Sequence, residues 1–183
     1  MLKNVSIWYN FSMIELLILF ELNRNTLTMY GVSKSIRADF SVLTTPSYGT
    51  IKPALNRLEK NGYVRTQKTI SSGGRPATYY SITKEGINEL KRIIMDTPLE
   101  NPIQFLPTAR VKLACADILE VDEQVRLLNQ LKVKAESILY DTKNLMNTKD
   151  LSFYPKMVFD NLTCEYKNLI SLIEGFEHAC SRK

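Results

Sequence analysis

Ser47-Tyr48-Gly49-Thr50-Ile51-Lys52-Pro53-Ala54-Leu55-Asn56-Arg57-Leu58-Glu59-Lys60-Asn61-Gly62-Tyr63-Val64 is the stretch on which the reading of this chain turns. Ile51, Ala54, Leu55 and Leu58 recur at spacings of three and four, which gives a helix one buried stripe. Ser47 stands at the N-cap, where its hydroxyl is expected to accept an orphan amide of the first turn. Asn61-Gly62 supplies the stop, because glycine takes a left-handed conformation at little cost. Lys52, Asn56 and Lys60 point away from the stripe, with Arg57 at its flank. Pro53 removes one hydrogen bond and is expected to bend the second turn.

Upstream, residues 13–22 read as a first helix, with Ile14, Leu17, Ile18 and Phe20 or Leu22 on a broad apolar face. Asn23 to Thr28 is expected to be a polar loop. A second short helix follows over about Tyr30 to Phe40, and Ser41 to Thr45 is another loop. Downstream, Tyr63 to Ile70 and Ala77 to Thr83 are β-prone runs. Ser71-Ser72-Gly73-Gly74-Arg75-Pro76 between them makes a hairpin turn with a cation near its tip. Thr83-Lys84-Glu85-Gly86 then opens a fourth helix that carries Ile87, Leu90 and Ile94.

Pro98, Pro102 and Pro107 punctuate the next ten residues, and the domain boundary is placed there: 1–97 and 98–183. Beyond it the chain reads as helix to its end. Asp122 is expected to cap a long helix striped by Leu128, Leu131, Ala135, Ile138, Thr142 and Leu145. In the last helix Phe159, Leu162, Tyr166, Leu169, Ile173, Phe176 and Cys180 alternate steps of three and four, the seam of a coiled coil or an antiparallel helix pair. The two stripes can pack on each other within one chain. Two narrow stripes make a thin core, so a second subunit is expected to complete it.

The 183 residues, 44% hydrophobic and 23% charged, have the balance of an ordinary globular protein, which excludes a largely disordered chain and a disulfide-stapled miniprotein. Three cysteines are too few and too far apart for a disulfide framework or a zinc ribbon. His178, the lone histidine, excludes a His-dyad metal site and a Ser-His-Asp set beside a nucleophile. No P-loop or G-x-G-x-x-G pattern occurs, so no catalytic residue, metal or cofactor is assigned. Met13 to Leu22 is the only apolar run, is shorter than the roughly 20 residues a membrane helix needs, and is interrupted by Glu15 and Glu21. With no export signal after it and few cysteines, the cytoplasm is the expected compartment and no membrane partner is expected. The charge is divided: residues 1–97 carry a net +6 and residues 98–183 a net −1. A basic half beside a neutral half suggests a polyanion-binding module joined to something else.

Three helices followed by a two-stranded hairpin is the order of a winged helix-turn-helix, so the fold class is mainly α with a small β-hairpin, followed by a helical C-terminal part. A helix fits the major groove of DNA and its exposed polar residues reach base edges. Ser47, Thr50, Lys52 and Asn56 are therefore expected at bases, since Asn pairs bidentately with adenine and Lys donates to guanine acceptors. Lys34, Lys68 and Arg75 are expected at phosphates, with Tyr30, Tyr48 and Arg57 completing the DNA-facing group. Each has a plainer use: Tyr48 can cover the flank of its helix, and Arg57 can pair with a carboxylate. Phe159, Leu162, Tyr166, Leu169, Ile173 and Phe176 are the expected dimerisation residues. The alternative from another class is a winged-helix adaptor whose basic face docks an acidic protein.

The stretch from Ser47 to Val64 resembles the recognition-helix signature of PadR-type transcriptional regulators, S-P-G-T-L-Y-P-A-L-x-R-L-E-x-x-G-L-V. Tyr79-Tyr80-Ser81-Ile82-Thr83-Lys84-Glu85-Gly86 resembles the family's second motif, Y-Y-x-L-T-x-x-G. Tyr30-Gly31 stands where the family commonly has G-Y. The tail from Gln104-Phe105-Leu106 is similar to the longer members, whose C-terminal domain dimerises and which include relatives of virulence-gene activators. Tyr48 replaces the family's proline and Lys52 its tyrosine, so the preferred DNA sequence is expected to differ. The resemblance implies a homodimer on a palindromic operator in double-stranded DNA, most often as a repressor. It also implies a small, frequently aromatic ligand that releases the DNA. Trp8, Tyr9 and Phe11 could line its pocket or, more ordinarily, pack against the C-terminal helices.

Overall fold

The computed structural model describes residues 13–70, 74, 76–96 and 102–180. Trp8, Tyr9, Phe11 and Arg75 lie outside the described residues. Among the described residues seven α-helices and three strands follow in order, with a 3-10 turn at Ala116–Ile118: α1 Met13–Arg24, β1 Leu27–Thr28, α2 Met29–Phe40, α3 Tyr48–Lys60, β2 Val64–Ile70, β3 Pro76–Ile82, α4 Lys84–Met95, α5 Pro102–Ala114, α6 Val121–Thr148 and α7 Phe153–Cys180. The chain divides into two compact units, up to Ile93 and from Ile94, so the division falls within α4.

In the first unit α1 packs against α2, α3 and β3. Its residues from Glu15 to Leu22 are all buried. The stripe of α3, Ile51, Ala54, Leu55 and Leu58, is fully buried, as are Val32 and Ile36 of α2, and Phe20 meets Phe40 edge-to-face at 5.8 Å. Two buried carboxylates on α1 are met by donors on its neighbours. Ser35 Oγ of α2 donates to Glu21 Oε2 at 2.5 Å, and Arg57 Nε of α3 donates to Glu15 Oε1 at 2.7 Å.

The hairpin is present, but it belongs to a three-stranded antiparallel sheet in the order β1-β3-β2. Leu27 pairs with Tyr80 and Thr28 with Tyr79, so part of the segment expected to be a loop is a strand. Two residues are too few to show an alternation, and the pairing is supplied by β3. Thr28 also begins α2, accepting a hydrogen bond from the Gly31 amide at 3.1 Å.

Ser47 holds the N-cap position of α3 with extended backbone, but its hydroxyl caps no amide. It lies 3.1 Å from the hydroxyl of Thr50 instead. The helix continues through Pro53 and ends at Asn61-Gly62, where Gly62 has φ of 77°. Tyr63 then brings the chain against the start of α4. The Thr83 amide donates to the Tyr63 carbonyl at 3.0 Å, and the Thr83 hydroxyl both donates to Gly62 O at 2.7 Å and accepts from the Gly86 amide at 3.0 Å. A Cβ on Gly86 would stand 2.1 Å from the Tyr63 carbonyl oxygen. The T-x-x-G spacing thus closes a knot in which the threonine serves both chain segments and the glycine permits their approach.

In the second unit α6 and α7 pair as antiparallel partners within one chain. Near one end Cys180 Sγ lies 3.5 Å from Gln124 Oε1, and further along Lys132 Nζ bridges Glu174 at 3.1 Å and Glu177 at 3.3 Å. These two carboxylates hold the Lys132 ammonium above its usual range. Helix α6 begins two residues earlier than expected: Glu120 is its N-cap, and the Glu120 amide donates to Glu123 Oε2 at 3.0 Å. Asp122 lies inside the first turn, where its charge favours the helix dipole. Tyr166 is fully buried, stacks on Phe105 at 6.0 Å and donates to the Pro102 carbonyl at 3.4 Å. All three cysteines are free thiols. Among the described residues no helix is long and apolar enough to cross a membrane.

Two expectations follow. Gly86→Ala should destabilise the protein by about 3 kcal/mol, because its methyl meets backbone that cannot rotate away; a urea midpoint equal to the wild type's would refute this. Burial pushes the Glu21 carboxyl above its ordinary value, with Asp39 adding to the rise and Ser35 and Arg24 opposing it. The folded chain therefore holds this proton more tightly than the unfolded chain, and the stability it contributes falls as pH rises past the ordinary glutamate range. Glu21→Gln removes that dependence, so its melting temperature should gain on the wild type's between about pH 5 and about pH 8. A gap that stays constant with pH would contradict it.

Candidate nucleic-acid interface

The buried stripe of α3 determines which of its side chains reach solvent. At about 100° per residue, Lys52, Asn56 and Lys60 fall within one narrow arc opposite Ile51, Ala54, Leu55 and Leu58, and all three are exposed. Ser47, Tyr48, Gly49 and Thr50 at the start of the helix are exposed as well. This unit therefore presents a lysine and an asparagine along the outward side of one helix, with an exposed hydroxyl pair at the start of that helix. That is a set of donors and acceptors matched to base edges.

Tyr30 and Lys34 are exposed on α2. Lys68 is exposed on β2, two residues beyond Thr66 and so on the same face of the sheet. That face adjoins α3, because Thr66 Oγ1 donates to Glu59 Oε1 at 2.6 Å. Tyr80, the cross-strand partner of Thr66, shares that face, and burial first and the charge of Glu59 second raise its phenol above its usual value. Among the described residues Lys34, Lys52, Lys60 and Lys68 form no ion pair. Lys34, Lys52 and Lys68 of the expected DNA-facing residues thus stand on the three elements α2, α3 and β2, each with its ammonium in water.

Arg57 is placed otherwise. Its Nε is engaged by Glu15, whose side chain is almost wholly buried, so the plainer of its two expected uses is realised. Sequence reasoning had treated Glu15 only as an interruption of an apolar run. Its signal would have been a carboxylate on a helix that shows no polar face. Lys60 was seen to point outward but was left out of the expected DNA-facing group, although it continues the Lys52–Asn56 line by one turn.

The expected dimer seam divides. Tyr166, Leu169 and Ile173 are buried inside this chain, Phe159 and Leu162 are half-buried, and Phe176 remains 40% exposed. The reason is that α6 supplies the opposing stripe, with Leu127, Leu128, Leu131, Ala135, Ile138 and Thr142 all buried. A different set is left in solvent on α7: Phe153, Tyr154, Met157, Val158 and Leu172. Among the described residues no group of three or more His, Cys, Asp or Glu is placed to hold a metal ion.

The profile of the family described as "Transcriptional regulator PadR-like family" matches residues 18–92, a span that contains α2, α3, the sheet and most of α1 and α4. Among solved structures, a transcriptional regulator from Clostridium thermocellum is 35% identical, over 43% of this chain and 75% of that one, with a TM-score of 0.39. A PadR family transcription regulator from hypervirulent Clostridium difficile R20291 is 28% identical, over 44% and 82%, with a TM-score of 0.40. Bacillus subtilis PadR in complex with operator DNA aligns over 92% of this chain and 99% of its own at 17% identity, with a TM-score of 0.44. No curated protein sequence matches the chain. Its recognition-helix and T-x-x-G motifs both lie in the matched span, and the chain belongs to the PadR-like family of transcriptional regulators.

Proposed function

We propose that this protein is a homodimeric, sequence-specific DNA-binding repressor that acts by binding in the cytoplasm and not by catalysis. The observation that carries this is the outward arc of α3, with Lys52 and Asn56 in line beside the exposed Ser47 and Thr50. In this reading residues 1–97 engage a palindromic operator and residues 98–183 hold the dimer. Two copies of α3 related by a two-fold axis would enter successive major grooves about 34 Å apart. Ser47, Thr50, Lys52 and Asn56 read bases, with Tyr48 beside them. Lys34, Lys68 and Arg75 hold phosphates, and Tyr30 lies with them at the edge. The unpaired state of Lys34 and Lys68 favours this division, since a hydrated ammonium is free to displace counterions from the backbone. The acidic-protein adaptor uses the same charge but gives no reason for an asparagine in the arc.

The outward residues of α7, Tyr154, Val158, Leu172 and Phe176, form the proposed contact with a second copy, because Tyr166, Leu169 and Ile173 are already buried. A small aromatic effector completes the proposal. Bacillus subtilis PadR has been solved with p-coumaric acid, and release of DNA by a phenolic acid is the corresponding assay here.

Fluorescence anisotropy tests the main reading with a fragment from upstream of the protein's own gene beside a random fragment, each at two salt concentrations. Binding tighter to the upstream fragment by about 10³ or more supports it. Weak, equal binding that salt abolishes would leave only a charged surface. Lys52→Ala or Asn56→Ala should lower discrimination between the fragments. Lys68→Ala should weaken both alike and reduce the salt slope by about one unit. For the dimer, Val158→Lys combined with Leu172→Lys should yield a folded single chain in sedimentation equilibrium. A mass of two chains for that variant would remove α7's outward face from the interface.

A further inference from the structure

The apolar stripe of α3 buries it but does not by itself fix its roll. Ile51, Ala54, Leu55 and Leu58 make non-directional contacts, and an aliphatic interface tolerates small rearrangements at little cost. Base reading has no such tolerance. Side-chain tips on a helix stand about 5–6 Å from its axis, so a roll of about 20° carries them about 2 Å sideways. A hydrogen bond to a base edge is lost over that distance.

Two directional bonds hold α3 from the sides. Arg57 Nε donates to Glu15 Oε1 on α1 at 2.7 Å, and Thr66 Oγ1 of β2 donates to Glu59 Oε1 at 2.6 Å. At about 100° per residue, Arg57 lies about 100° to one side of the Lys52–Asn56–Lys60 line and Glu59 about 60° to the other. The two bonds therefore oppose rotation in either sense. The Glu15 side chain is only 7% exposed, so its carboxylate depends on the donors that reach it. The Arg57 side chain is 50% exposed and reaches Glu15 along the flank of the helix, away from the outward arc.

We propose that Arg57 and Glu15, with Glu59 and Thr66 on the opposite flank, are positioning residues that set the roll of α3 and so determine which side chains meet the bases. Arg57 acts through Lys52 and Asn56 and does not hold a phosphate. This rests on the DNA-binding reading above.

The salt slope separates the two roles, because a phosphate contact contributes about one unit to it and a positioning residue contributes none. The experiment measures binding of Arg57→Ala, Arg57→Lys and Thr66→Val to upstream and random DNA across a salt series, with folding of each variant checked by circular dichroism. Arg57→Lys keeps the charge but not the planar Nε donor. Thr66→Val keeps the shape at a strand position and supplies the answer if Arg57→Ala does not fold. The expected result is a fall of about tenfold in the upstream-over-random ratio for both Arg57 variants. A smaller fall is expected for Thr66→Val, and the slope should be unchanged in all three. A slope reduced by about one in Arg57→Ala, with Arg57→Lys unaffected, would make Arg57 a phosphate contact and overturn the proposal. An unchanged ratio in the folded variants would overturn it too. If the wild type itself fails to discriminate, the DNA-binding reading falls, and the positioning role with it; that failure is read from the wild-type arm alone.

Discussion

From Glu15 to Leu22 α1 has no solvent-facing position, and two of those eight residues are carboxylates. A carboxyl taken out of water must be met by a donor or keep its proton. Both solutions occur here. Glu15 takes the guanidinium of Arg57, while Glu21 takes one hydroxyl, from Ser35, and burial raises its pKa. The apolar residues of α1 could be satisfied by many arrangements of α2 and α3, but its two carboxyls could not. They bind α1 to a particular residue on each neighbour, so α1 locates the two helices of the helix-turn-helix as well as burying them.

The wing is held to this arrangement by backbone hydrogen bonds as well as by the packing of β3 on α1. Strand β2 exposes most of its side chains and buries only Val64, while β3 is half-buried from Ala77 to Ile82. What fixes β2 and β3 relative to α3 is the junction at Tyr63, where the Thr83 amide meets the Tyr63 carbonyl and Gly86 lets α4 start against the same oxygen. The Glu59–Thr66 bond adds a side-chain tie between α3 and β2. The hairpin thus keeps a defined angle to α3 although few of its side chains are fully buried. Lys68, two residues beyond Thr66, inherits that angle.

Helix α3 was legible in the sequence because its four apolar residues obey one period and its stop is a glycine that must take positive φ. The hairpin was legible from its turn residues. Strand β1 was not, because two residues carry no pattern and owe their conformation to Tyr79 and Tyr80, about 50 positions away. At Ser47 the cap position was readable and the hydroxyl's partner was not, since Thr50 competes with the backbone amide for it. The seam of α7 shows the same limit on a larger scale. Steps of three and four identify a face that will be buried, but not which helix buries it, and α6 of the same chain covers Tyr166, Leu169 and Ile173. The Glu15–Arg57 pair spans 42 residues, beyond anything local periodicity encodes.

A division between the two cations runs through the first unit. Three of its arginines are paired with acids: Arg24 with Asp39 at 2.6 Å, Arg57 with Glu15 at 2.7 Å and Arg92 with Glu89 at 2.7 Å. Four of its exposed lysines, Lys34, Lys52, Lys60 and Lys68, have no such partner among the described residues. The chemistry of the groups favours this allocation. A planar guanidinium holds a carboxylate in fixed geometry and suits structural ties, whereas an ammonium is a mobile, hydrated point charge. Each pair removes one cation together with one acid, so the net +6 of residues 1–97 is unchanged and rests on the cations left without an acid. Exposed lysines on α2, α3 and β2 therefore contribute to the field in front of α3 together with Arg37 and Arg65, which are exposed and paired with no acid among the described residues, while Arg57 ties α3 to α1.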